Sequence, residues 1–170
     1  MSGPDHSAFR HALAQFPTGV TVVTGRSPSR ELPVGLTVSS FNSVSLSPPL
    51  VLWSLSNHSP HLEAFQLGQK HRIHVLSRSQ EELAKRFARA GSDKFSGIST
   101  QLDSARHDQA HAFESVPHLA GCSARFDCMT ESTHLAGDHC IIVARVLFFE
   151  ATELEPLVFA HSGFFGLSKH

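Results

Sequence analysis

Gly35-Leu36-Thr37-Val38-Ser39-Ser40-Phe41-Asn42-Ser43-Val44-Ser45-Leu46-Ser47-Pro48-Pro49-Leu50-Val51-Leu52 is the stretch on which the fold turns. It begins inside an apolar, β-branched run over residues 34–40 and passes through small hydroxyl residues. Pro48-Pro49 interrupts it, and an apolar run resumes over residues 50–55. Short runs of this composition, bounded by Pro and Ser clusters, predict strands. The hydroxyl residues leave backbone amides and Oγ atoms uncovered at a strand end. Such a surface binds a phosphate, or the edge of a polar heterocycle, by hydrogen bonds without positive charge. It is equally the composition of an ordinary Ser/Thr-rich strand and turn.

Working outward, Phe9, Ala12, Leu13 and Phe16 have helical spacing that stops at Pro17. A strand follows over residues 20–24. Ser59-Pro60 predicts a helix N-cap with proline at the first helical position, Leu62 and Phe65 on its apolar face and Gly68 as its stop. A short strand over 74–77 precedes Ser79-Gln80-Glu81-Glu82, a capping box. The helix it opens carries Leu83, Phe87 and Ala90 on one face and ends at Gly91. Between Gly91 and Leu119 the pattern is lost. Two long strands follow over 122–129 and 140–151, the second apolar on both faces and therefore central, with a last strand over 156–161. Antiparallel strands with peripheral helices predict a mostly β fold, a β-barrel, rather than strand–helix alternation.

The 170 residues, 18.5 kDa, fit a single domain over residues 1–170. Hydrophobic residues make up 41% and charged residues 17%, which is globular and sparsely charged. Lys plus Arg is 14 against 15 for Asp plus Glu, so no excess of basic charge exists for a nucleic-acid surface. The apolar runs are too short to span a membrane. The first residues, Met1-Ser2-Gly3-Pro4-Asp5, lack a basic-then-apolar leader, which places the chain in the cytoplasm.

Three cysteines without a CxxC pair argue against a disulfide framework or structural zinc. Cys122, Ala124, Phe126 and Cys128 alternate with Ser123, Arg125 and Asp127, as in a half-buried strand. At about 3.3 Å per residue the sulfurs of Cys122 and Cys128 stand roughly 20 Å apart, beyond any disulfide. Thirteen histidines invite a metal reading, and His107 and His111 share the i, i+4 spacing. A zinc protease needs Glu after the first His, where this chain has Asp108. His71 and His74 fall on opposite faces of a strand. No metal site is expected. GxGxxG, Walker and GxSxG motifs are absent.

Ala14-Gln15-Phe16-Pro17-Thr18-Gly19-Val20-Thr21-Val22-Val23-Thr24, then Gly35 to Phe41, then Val44-Ser45-Leu46-Ser47-Pro48-Pro49-Leu50-Val51 resemble the flavin reductase family. The likeness continues through Phe87-Ala88-Arg89-Ala90-Gly91-Ser92-Asp93-Lys94-Phe95, Gly137-Asp138-His139, Pro156-Leu157-Val158-Phe159 and Ser162-Gly163, nearly the whole chain in family order. The resemblance implies an FMN-binding split barrel of antiparallel Greek-key type. It also implies a homodimer with FMN or FAD near the interface and NADH or NADPH as hydride donor. Gly35, Leu36, Thr37, Val38, Ser39 and Ser40 would line the flavin, and Ser54, Leu55, Asn57 and Ser59 would complete the pocket.

Two further positions carry paired readings. Ser59 is a helix cap as well as a phosphate ligand. Arg86 is a phosphate partner or the ion-pair partner of Glu82 four residues earlier. His139 would sit at the nicotinamide side of the flavin, where position matters more than acid–base chemistry. Where the family commonly has a basic residue and tyrosine after Gly163, this chain has Phe164-Phe165, so Phe164 keeps only the aromatic surface. Asn is frequent in the family at the position of Ser39.

The implied activity is an NAD(P)H:flavin oxidoreductase that supplies reduced flavin to a partner monooxygenase. The altered segment after Gly163 motivates an alternative, a flavin-bound electron carrier with little NAD(P)H turnover. A third reading is an interaction domain that keeps only the fold.

Overall fold

The computed structural model describes residues 5–91, 93–98 and 113–167; the pair His107 and His111 lies outside them. Its helices are α1 (His6–Leu13) and α2 (Glu81–Ala88). Its strands are β1 (Thr18–Gly19), β2 (Thr21–Arg26), β3 (Pro33–Val38), β4 (Asn42–Leu46), β5 (Pro49–Ser56), β6 (Lys70–Val75), β7 (Ala124–Ala136), β8 (His139–Ala151), β9 (Val158–Ala160) and β10 (Gly163–Phe165). The long sheet runs β3-β2-β6-β7-β8-β5-β4, and β1-β9-β10 forms a smaller one. Every pairing is antiparallel.

The long sheet curls because its two ends share one core. Val34 and Val38 of β3 join Val51, Trp53 and Leu55 of β5 in a single buried cluster with Val23, Ile73 and Ile142. Yet β3 and β4, the outer strands, do not pair with each other. The barrel is therefore split along one seam. This is the mostly β architecture that the strand pattern predicts.

A second core covers the outside of β2. Val20, Val22, Leu76, Ala84, Phe87, Leu119 and Leu157 pack together there, which fixes α2 against the barrel. Strands β2 and β6 are consequently buried on both faces. The sequence pattern assigned that place to residues 140–151. In β8 only Cys140, Ile142 and Ala144 are buried, while Ile141 and Val143 on the other face stay half-buried because, among the described residues, no helix covers them.

Several expectations are corrected. The alternation in β7 breaks at a bulge between Asp127 and Cys128, and Arg125 and Asp127 are buried instead of facing water. One carboxylate oxygen of Asp127 lies 3.1 Å from Arg72 Nε and 3.1 Å from Arg125 Nε, so buried opposite charges hold one another. The helix expected after Ser59 is only a 3₁₀ turn over Leu62–Phe65, and Ser59 does not cap it. The capping box belongs to Ser77 and Gln80, ahead of α2, and not to Ser79 and Glu82. Helix α1 forms, but Phe9 and Leu13 remain exposed. Strands β4 and β10 and the second half of β7 carry no strand expectation in the sequence reading.

The three cysteines are buried free thiols, and burial pushes the Cys122 pKa up to about 11. His71 and His74 are fully buried on opposite faces of β6. His71 Nε2 accepts a hydrogen bond from Trp53 Nε1 at 3.4 Å, and its backbone bond to Gln69 opposes only part of the desolvation. Burial pushes its pKa down to about 4 and holds that of His74 well below its usual value.

Because the folded pKa lies below the unfolded one, the unfolded chain takes up the proton first as pH falls. The stability in question is complete above about pH 6.5 and is lost on the way down to about pH 4. For His71 that displacement amounts to about 3 kcal/mol. Urea titrations between pH 7.5 and 4.5 should show a shallower decline for His71→Gln than for the wild type; parallel curves would deny the histidine this role.

Candidate functional site

Three segments meet at one end of the open seam. β3 ends at Val38, β5 ends at Ser56, and His139 at the start of β8 pairs with Ser56. Just past β3, Ser40 Oγ accepts the Ser54 N–H at 2.9 Å and donates to the Ser54 carbonyl at 3.3 Å. A side chain thus fastens β3 to β5 where no ladder does.

The hairpin between β7 and β8 turns on two residues, since Ala136 pairs with His139. Gly137 has φ +61°, and Asp138 keeps a negative φ, which is the type II′ pattern that needs glycine first. Asn57 holds this turn from the side. Its backbone N–H donates to the Asp138 carbonyl at 2.9 Å, and its Nδ2 donates to the Gly137 carbonyl at 3.1 Å. Asn57 Oδ1 is buried without a protein partner. His139 Nδ1 lies 2.7 Å from Asp138 Oδ1, with its ring about half exposed at 47%. That hydrogen bond, and then the imidazole charge, hold the Asp138 carboxyl below its ordinary pKa.

On its outer face β3 carries α2. Thr37 Oγ1 donates to the Ala84 carbonyl at 2.7 Å. Gly35 meets Phe87 so closely that a Cβ there would stand 2.4 Å from the ring. Leu36 packs partly into the barrel core, where Val38 is buried. Of the six residues from Gly35 to Ser40, only Ser39 is exposed; Leu36, Thr37 and Ser40 are half-buried.

At the other end of β3 lies a cleft of about 520 Å³, walled by Leu32, Pro33, Val34, Pro60 and Phe95 and reached by Arg30, His61, Lys94 and the acidic Asp93. Lys94 Nζ donates to the Gly35 carbonyl at 3.1 Å and the Phe87 carbonyl at 2.9 Å, and burial lowers its pKa. The His61 pKa is lowered by burial and then by the charges of Lys94 and Arg30. Arg30 and Lys94 beside an apolar wall suit an anionic ligand with a flat body, with the Asp93 carboxylate as an opposing charge in the cleft.

The residues named from sequence divide accordingly. Ser40, Ser54, Asn57 and His139 converge at the seam. Leu55 is buried in the barrel core, and Ser59 Oγ accepts the His61 N–H at 3.2 Å in the turn after β5. Arg86 does not pair with Glu82, which binds Lys85 at 2.8 Å; it donates to the Ser96 carbonyl at 3.0 Å. Phe164 lies against Phe159, ring centroids 5.3 Å apart, in the smaller sheet. Arg30, His61 and Lys94 carried no assigned role, because residues so far apart in sequence leave no local pattern.

Comparison with known proteins gives one consistent picture. Residues 13–168 match the family described as "Flavin reductase like domain". FMN reductase (NADH) SmoA of Agrobacterium fabrum is 43% identical over 162 residues, 95% of this chain and 86% of that protein. The flavin-dependent monooxygenase reductase subunit HsaB of Rhodococcus jostii is 34% identical over 164 residues, 96% of this chain and 78% of its own. The match to a Rhizobium meliloti relative, at 37% identity, covers 95% of this chain but 49% of that protein, so the chain spans about half its length. Among solved structures, Streptomyces globisporus NADH:FAD oxidoreductase SgcE6, in complex with NAD and FAD fragments, superposes with a TM-score of 0.84 at 30% identity. That superposition covers 99% of this chain and 96% of the other.

The contact of Gly35 with Phe87 makes a direct test of how β3 is set. Gly35→Ala should lower stability by about 1–3 kcal/mol, since the added methyl overpacks the α2 interface. Urea denaturation measures it, and an unchanged midpoint would mean that α2 shifts freely.

Proposed function

The chain belongs to the flavin reductase-like family, and from that premise we infer how its residues divide the work. It is an NAD(P)H-dependent flavin reductase that reduces FMN or FAD and supplies reduced flavin to a partner monooxygenase. When bound, the flavin provides the ring that accepts a hydride. The residues present fit such a group. An exposed Ser39 hydroxyl and a cleft with apolar walls that carries Arg30 and Lys94 offer what a flat ring with a phosphate tail requires.

The observation that carries the reading is the placement of His139 at the open seam, opposite Ser56 and beside the turn held by Asn57. In our reading residues 35–40 with Ser54, the Leu55 backbone and Ser59 line the flavin, and Arg30 and Lys94 attract its phosphate. His139 bears on the nicotinamide from the hairpin side. Hydride transfer needs two rings in contact at a defined angle, so the protein contributes position rather than a proton. Residues 1–170 act here as one domain. Buried free thiols and a nicotinamide donor suit the cytoplasm. Among the described residues no helix is long and apolar enough to cross a membrane.

We further place a second copy of the chain against the outer face of β8. Ile141 and Val143 there are half-buried, and Leu46 of the edge strand β4 is 94% exposed. A two-fold contact is the common way to cover such a face. Light scattering at low micromolar concentration should give about twice the chain mass of 18.5 kDa. A monomer that still binds flavin tightly would contradict the shared interface.

The function is tested by mixing the purified protein with FMN and titrating NADH anaerobically. The wild type should bleach the flavin absorbance. His139→Ala should keep FMN affinity within a few fold and slow reduction on the order of a hundredfold, the cost of a displacement of about 1 Å. Wild-type reduction rates in that variant would remove His139 from the site.

A further inference from the structure

The hairpin tip that carries His139 has little packing of its own. Residues 134–139 are exposed, and Leu135 is 81% exposed. A two-residue turn at such a tip is ordinarily held only by its own ladder and frays readily. Here it is held from a second strand. The pairing of β5 with β8 formally ends at Ser56 and His139, but Asn57 extends it past the end of β8 by donating to both carbonyls of the turn. Its backbone reaches Asp138 and its side chain reaches Gly137, the residue whose left-handed φ makes the turn possible. Asp138, fixed in this way, presents the oxygen that His139 Nδ1 meets at 2.7 Å. Nδ1 is thereby engaged, and Nε2 is the ring atom left to face a ligand.

We propose that Asn57 is a positioning residue of the hydride-transfer step: through the Gly137–Asp138 turn it sets where the His139 imidazole stands. This rests on the functional reading above and deepens it: the family resemblance implies Asn57 for the flavin pocket, whereas its hydrogen bonds go to the turn beside His139. The side-chain amide is already committed. Nδ2 points into the turn, and the substitution that removes it leaves the Gly137 carbonyl without that donor. The chain of contacts is short, Asn57 to turn to Asp138 to His139, and each link is a hydrogen bond of 2.7 to 3.1 Å.

The test is a double-mutant cycle on FMN-loaded protein, reduced by NADH in an anaerobic stopped-flow instrument. Asn57→Ala should leave FMN affinity within about threefold and slow reduction at saturating NADH by about tenfold or more. The variant carrying both Asn57→Ala and His139→Ala should be no more than about twofold slower than His139→Ala alone, because the first change acts through the second residue. Asn57→Asp keeps the backbone bond and loses the side-chain donor, so it should be as slow as Asn57→Ala and serves if the alanine variant fails to fold.

Multiplying effects in the double variant would overturn the proposal, as would a slow Asn57→Ala that has lost FMN affinity, which would make Asn57 a flavin ligand. A fast Asn57→Asp would do the same. If the wild type itself does not reduce FMN, the functional reading fails first and the positioning role with it.

Discussion

Ser40 is bonded through one hydroxyl to both backbone groups of Ser54, across a seam that the β ladder leaves open. Each such bond is worth only about 0.5–1.5 kcal/mol, yet together they fix the register of two strands that nothing else pairs. From Ser40 the chain passes into β4, and from Ser54 it is two residues to Ser56, the partner of His139. The placement of β3 relative to the hairpin therefore runs through this contact. A closed barrel would have paired the same backbone groups with each other and left none for a ligand. The seam is kept apart enough to be a site and tied enough to be rigid.

Rigidity behind the seam comes from burial on both sides of β2 and β6. The barrel core packs Trp53 edge-on against Phe65, with centroids 4.9 Å apart, while the outer core presses Phe87 onto Gly35. Helix α2 is bolted on by Thr37, whose hydroxyl reaches the Ala84 carbonyl, and by Lys94, which bridges the carbonyls of Gly35 and Phe87. Several hydroxyl and amino groups that the sequence offers to a ligand are thus already engaged in holding β3. What remains toward the seam is mostly backbone and the Ser39 side chain. A pocket built from backbone groups of a fixed strand holds its shape without a ligand, which lowers the cost of binding.

Much of the architecture is legible in residue order. Alternation and β-branching mark β2, β3 and β5, and the apolar spacing of Leu83 and Phe87 marks α2. The failures have physical causes. β4 is only five residues long, and its apolar residues, Val44 and Leu46, are exposed, so it shows no stripe that faces a core. In β7 the bulge after Asp127 changes which side chains face inward, and the buried charges there are stable only because Arg72 arrives from β6, a contact no local pattern reveals. Beyond Met129 that strand becomes progressively exposed, and its length is dictated by pairing with β8. At the site, the glycine, aspartate and histidine of the turn are adjacent in sequence and can be read together. Asn57 stands eighty residues away from the Gly137 carbonyl it binds, and only the fold brings them into contact.

The chain is nearly neutral, with 14 basic and 15 acidic residues, yet charge is not evenly spread along β3. One end of the strand opens on Arg30, Lys94 and the acidic Asp93; beyond the other, the Asp138 carboxylate stands exposed on the hairpin tip. The five steps from Gly35 to Ser40 separate these ends by roughly 17 Å of chain. Both ends are partly open to solvent, so screening is incomplete only within about 10 Å at ordinary ionic strength, and each acts on what lies directly against it. In the proposed site, an anionic tail set beside Arg30 and Lys94 would stand away from the Asp138 carboxylate. That orientation of a ligand with an uncharged ring would leave the ring at the end where His139 is held.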